Sequence, residues 1–209
     1  GRIDFRRLGL MGHSRGGDAV VTVPTVIGLP GITIKGVLAL APTNFRFWFG
    51  LPTIQPANHA FMTILPAGDG DVVDNNGAQF YDQAAPGPFK SQLYVHYTNH
   101  NFFNRQWAYD DGSGPPVISR ADHERVLSVY GSAFFRSVLL GHGTARFLAG
   151  TAKGPEDSQV PNITPDKDTG LTWTVEQIAD HLDVSKTTIE GDWRMARAWL
   201  STQLSERRS

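Results

Sequence analysis

The chain has 209 residues, which at roughly 150 per domain allows one full core and a small appendage rather than two complete domains. With 40% apolar residues, 12 Phe and 5 Trp it can bury a core, while a net charge of -1 supplies no overall field for nucleic acid or anionic membrane. Cysteine is absent, which excludes disulfides, thiolate metal sites and cysteine catalysis and leaves the compartment open, cytoplasmic or secreted from a longer precursor.

Residues 7–11 form an apolar run halted by glycines, the pattern of a strand entering a tight turn, and Ala19, Val20, Val23 and Val26 then recur at helical spacing over 15–26, with Pro24 arguing against the last turn. Short apolar runs at 34–41, 61–65 and 92–97 predict buried parallel strands. Helices are expected over 76–85 and over 122–140, where Val126, Val129, Tyr130, Phe134 and Val138 make an apolar stripe. Alternating strands and helices predict an α/β layered core with right-handed crossovers over residues 1–150. Residues 151–170 lack periodicity and read as a linker, and 171–209 read as a module of two helices, 174–181 and 186–204, around a turn at Asp183-Val184-Ser185. No run approaches the ~20 apolar residues that cross a bilayer, and no signal peptide or membrane partner is expected.

The sharpest motif is Gly12-His13-Ser14-Arg15-Gly16, a Gly-x-Ser-x-Gly where a predicted strand meets a predicted helix. A serine on such a turn projects its hydroxyl off the end of the sheet, and glycines two before and two after it let neighbouring backbone approach. The Arg15 amide, at the helix N-terminus, is placed to donate to a developing oxyanion. A serine nucleophile needs a base and an orienting carboxylate. After the third strand comes Pro66-Ala67-Gly68-Asp69-Gly70-Asp71-Val72, and after the fourth comes Thr98-Asn99-His100-Asn101. Asp71 is preferred as the acid because it lies past the turn that begins at Gly68; Asp69 is the rival, and Asp74 reads equally as a helix cap. His100 is preferred over His96, inside the strand, His13, beside the serine, and His59, before a strand. The histidines have no metal-ligand spacing, Asp69 with Asp71 is a weak calcium hint, and neither metal nor cofactor is expected.

Leu10 to Gly17, the Gly68-Asp69-Gly70-Asp71-Val72 turn and Asn99-His100-Asn101-Phe102-Phe103-Asn104 together resemble bacterial α/β-hydrolases of the esterase, lipase and polyester-hydrolase kind over about residues 3–150. The resemblance implies carboxylic ester hydrolysis through an acyl-enzyme, with Ser14 as nucleophile, His100 as base, Asp71 as its partner and the Arg15 amide as one oxyanion donor. Whole members of that family have strands before the nucleophile strand and draw a second oxyanion amide from one of their loops. Here the chain begins at that strand, so the expected fold is a partial α/β-hydrolase sheet whose first edge invites completion by a longer enzyme or a homodimer partner. Phe45, Phe47, Trp48, Phe49, Phe102, Phe103 and Trp107 fall near strand ends, where an aromatic rim suits apolar or aromatic esters, including polymeric ones.

In the appendage, Ala179, Asp183 and Ile189 have helix-turn-helix spacing, Ser185 can cap the second helix, and Thr174 with Gln177 makes a capping box for the first. With Trp193-Arg194-Met195-Ala196-Arg197-Ala198-Trp199-Leu200 the segment resembles the promoter-reading domain of extracytoplasmic-function sigma factors, which implies that Lys186, Thr187 and Thr188 face DNA. Residues 172–209 contain five Lys or Arg against six Asp or Glu, so phosphate neutralisation is weak unless the basic side chains share a face. Two readings follow: a serine carboxylesterase, or a DNA-binding regulator with a noncatalytic hydrolase-like scaffold.

Overall fold

A computed structural model describes residues 3–28, 30–111, 117–148 and 172–174. The elements run β1 (Leu8–His13), α1 (Arg15–Val26), β2 (Ile34–Leu40), α2 (Phe45–Trp48), β3 (Ala60–Pro66), α3 (Ala78–Gln83), β4 (Lys90–Val95), α4 (Arg120–Leu140), α5 (Ala145–Leu148) and β5 (Thr172–Thr174). They build one sheet in the order β1-β2-β3-β4-β5. The first four strands are parallel, and β5 pairs antiparallel with β4. The expected α/β architecture with flanking helices is therefore present.

Side-chain alternation in the central strands explains the layers. In β2, Leu38 and Leu40 point to one face and join Met62, Ile64, Leu93, Val126, Tyr130 and Phe134. The interleaved Val37 and Ala39 point to the other face and pack with Phe61, Val21, Phe80 and Tyr81. A strand covered on both faces reads as a continuous apolar run because neither set of alternate positions meets water. Helix α4 thus covers one face, and α1 and α3 cover the other.

Local chemistry sets the helix limits. The Ser119 hydroxyl accepts from the Asp122 amide and starts α4 two residues earlier than the apolar stripe alone predicts. Helix α1 runs through Pro24 to Val26. Pro24, which argues against a last turn in the sequence, does not end the helix.

Parallel pairing sends the C-terminal ends of β1, β3 and β4 to one rim of the sheet, and the residues just past them are Ser14, the 67–71 loop and the 96–100 loop. The opposite arrangement, in an antiparallel sheet, would scatter these loops over two ends. The predicted linker and almost all of the predicted helix-turn-helix module, including Lys186, Thr187 and Thr188, lie outside the described residues. Thr174, expected to open a helix, belongs to β5.

Candidate active site

Ser14 sits between β1 and α1 with φ 58 and ψ -122, a conformation that an L-residue adopts at a cost of about 1–3 kcal/mol. The turn is held by its surroundings: the Ser14 amide donates to Leu40 O of the adjacent strand at 3.0 Å, and the Ser14 carbonyl accepts from Gly17 and Asp18 at 2.8 and 3.2 Å. A Cβ on Gly12 would lie 2.0 Å from the carbonyl oxygen of Gly16, and one on Gly17 would lie 2.7 Å from Pro42 Cβ. Gly16, which the motif places two after the serine, has nothing within 4 Å of a built Cβ. The small residue required behind the serine is therefore Gly17, not Gly16. Arg15 is the first residue of α1, where a helix leaves its amides without intrahelical acceptors and aimed outward.

His100 is fully buried and its Nδ1–H donates to Asp69 Oδ2 at 2.8 Å. The other oxygen of Asp69 accepts from the amides of Asp71 and Val72 at 3.0 and 2.7 Å, an Asx-turn that fixes the carboxylate on its own loop. This corrects the expectation that Asp71 orients the histidine. The Asp71 side chain is 64% exposed, and its Oδ2 lies 3.5 Å from the opposite ring nitrogen, Nε2. The reason is geometric: successive residues across the tight turn diverge, and the first carboxylate folds under the loop while the second remains at the surface. Asp74 adopts φ 73 within a turn and is no cap.

The remaining ring nitrogen, His100 Nε2, is buried without a hydrogen-bond partner among the described residues. It is the atom through which an imidazole oriented by a carboxylate exchanges a proton with a hydroxyl. Burial lowers the pKa of His100, but the hydrogen bond and charge of Asp69, followed by Asp71 and Asp111, outweigh it and leave the value raised. Burial raises the Asp69 carboxyl, with the His100 bond pulling against it.

His13 connects this pair to the serine turn. Its Nε2–H donates to the His100 carbonyl at 3.1 Å, its Nδ1 accepts from Asn104 Nδ2 at 3.2 Å, and its ring centroid is 4.5 Å from that of His100. Those two partners define the neutral tautomer, and burial together with the neighbouring His100 brings the pKa down to about 4. Trp107 stacks on His100 with centroids 5.9 Å apart. His123, fully buried on α4, accepts from the Asn99 amide at 3.0 Å and donates to Ser119 O at 2.9 Å, so it holds the loop from beneath.

Phe45, Phe47, Trp48, Phe49 and Trp107 are exposed, as an aromatic rim requires. Phe103 is instead buried against His123 and belongs to the core. His59 is buried ahead of β3, and His96 is exposed just past β4 rather than inside it. The bridging roles of His13 and His123 escaped the sequence reading because His100, Asn104 and Asn99 lie 24 to 91 residues from them. An Asp followed directly by Gly was the one available signal for Asp69, since that pair favours an Asx-turn.

Comparison with known proteins bears on a different part of the chain. Residues 156–206 match the family model of the ECF sigma factor, about a quarter of the length, in agreement with the resemblance of the C-terminal segment. The match includes none of Ser14, Asp69, Asp71 or His100. No curated protein matches the chain.

Proposed function

We propose that residues 3–148 act as a serine hydrolase on carboxylic esters. The observation that carries this reading is a buried imidazole held by a carboxylate at Nδ1, with Nε2 making no hydrogen bond among the described residues and Asp71 Oδ2 3.5 Å from it, at the same strand-end rim as a serine in a strained turn. Ser14 Oγ attacks the ester carbonyl carbon while His100 Nε2 takes its proton, and Asp69 stabilises the resulting imidazolium. The Arg15 amide donates to the oxyanion. As the tetrahedral intermediate collapses, the C–O bond to the alcohol breaks and His100 protonates the departing oxygen. Water, deprotonated by His100, then attacks the acyl-enzyme and releases the acid and free Ser14. The exposed rings of Phe45, Phe47, Trp48, Phe49 and Trp107 favour apolar or aromatic esters. Turnover of a short-chain nitrophenyl ester tests the proposal: it is expected to vanish in Ser14→Ala and in His100→Ala, and equal rates in the variants and the parent would overturn it.

A second reading, duplex DNA binding by the C-terminal segment, rests on the family match of residues 156–206, and of the two readings it is the one the comparison favours. Lys186, Thr187 and Thr188 are the side chains assigned to DNA. A salt-dependent mobility shift of duplex DNA lost in Lys186→Glu supports it, and no shift at low salt refutes it. The two readings concern different residues, so each assay stands independently of the other.

A further inference from the structure

Asp111 lies 40 residues beyond Asp71 and 11 beyond His100, outside every motif named above. Its carboxylate nevertheless joins both loops of the candidate site. One oxygen, Oδ1, accepts from the Asn101 amide at 2.8 Å, and the other, Oδ2, accepts from the Gly70 amide at 3.1 Å. Those amides belong to the residues immediately after His100 and Asp69. The short segment carrying Asp111 is itself tied to the histidine loop, since Asn99 Nδ2 donates to Asp110 Oδ1 at 2.5 Å and Asn101 Nδ2 donates to Tyr109 O at 3.4 Å. The fit at Gly70 is close: a Cβ there would lie 1.7 Å from the Asp111 carbonyl oxygen, so only glycine lets the acid loop come this near.

We propose that Asp111 is a positioning residue, a two-oxygen clamp that fixes the acid loop against the histidine loop and thereby sets the Asp69–His100 contact. A carboxylate suits this role because both its oxygens accept, whereas an amide would turn a donor towards one of the two N–H groups. A hydrogen bond to a charged acceptor is also stronger than a neutral one. The clamp acts through other residues and touches no reacting atom. Its effect on turnover rests on the ester-hydrolase reading, while its effect on the loops does not.

Among the described residues, four charged or titratable groups face His100: Asp69 at Nδ1, Asp71 near Nε2, His13 against the ring, and Asp111 behind the loop. Asp111 contributes to the upward displacement of the His100 pKa, so its neutralisation moves that pKa down.

The test is Asp111→Asn, read by proton NMR and by ester kinetics in the full chain. In the parent, the His100 Nδ1 proton is expected at low field, and the amide of the exposed Gly70 is expected to exchange slowly, because the Asp111 carboxylate accepts it and is its acceptor among the described residues. In Asp111→Asn both signatures weaken, kcat falls by about ten-fold to a hundred-fold with KM nearly unchanged, and the acid limb of kcat/KM moves to lower pH. In an Asp69→Asn background the same change adds little, because the clamp works through Asp69. An unchanged kcat with an intact low-field proton would overturn the proposal, as would a Gly70 amide in the parent that exchanges at an open-chain rate. That last measurement needs no variant and decides the matter if Asp111→Asn fails to fold. A parent without ester turnover that still shows both NMR signatures, lost in the variant, sustains the clamp and removes the hydrolase reading.

Discussion

The Nε2–H of His13 donates to the main-chain carbonyl of His100 at 3.1 Å, joining the residue before the strained serine to the residue that pairs with Asp69. A protonated His13 would place a second N–H against the Asn104 amide nitrogen, and a positive charge beside His100. Burial accordingly keeps it neutral, with a pKa of about 4.

This has a consequence for stability against pH. The folded-state pKa of His13 lies below the unfolded value of 6.5, so its contribution is complete above pH 6.5 and is lost as pH falls towards 4. The loss is about 3 kcal/mol at most. His59, His96 and His123, also lowered by burial, act with the same sign, whereas His100, with its raised value, acts in the opposite sense. Urea midpoints between pH 4 and 7 are expected to fall on the acid side in the parent and to fall less in His13→Gln. Equal slopes would contradict a neutral, half-buried His13.

The two carboxylates of the acid loop are expected to separate sharply. Asp69→Asn removes the acceptor at His100 Nδ1 and should lower kcat by about ten-thousand-fold. Asp71 is largely exposed, so the charge that Asp71→Asn removes is screened and its cost should stay below about ten-fold. His100 must be neutral to accept a proton, and its raised pKa puts the acid limb of kcat/KM above 6.5. Asp71→Asn should move that limb down in pH. A larger loss in Asp71→Asn than in Asp69→Asn would reverse the assignment.

The three glycines about Ser14 should differ although the motif treats its two flanking ones alike. Gly16→Ala meets open space within α1 and is expected to stabilise by up to about 1 kcal/mol through helix propensity. Gly12→Ala and Gly17→Ala drive a methyl into Gly16 O and into Pro42, and should destabilise by about 1–3 kcal/mol or more. Thermal melts of the three variants check the ranking.

If both proposed activities reside in this chain, they should separate by mutation. Ser14→Ala is expected to abolish ester turnover and leave a DNA shift unchanged, while Lys186→Glu does the reverse. Loss of both in either variant would show that the two parts act as one unit.

Much of the body was legible locally. The strands of the core announce themselves as short apolar runs because both faces of each are covered, and the helices follow from spacing and from a cap such as Ser119. The serine turn was readable too, since strand, glycine and helix signals are contiguous there. The choice between Asp69 and Asp71 was not, because two carboxylates two residues apart differ only in which one the turn folds inward, and that depends on where the 98–101 loop lies. Asp111, His13 and His123 were hidden for the same reason. Their partners on the other loops are 10 to 91 residues away, and a hydrogen bond between such distant groups has no period or motif; it exists only once parallel pairing has delivered the ends of β1, β3 and β4 to one rim.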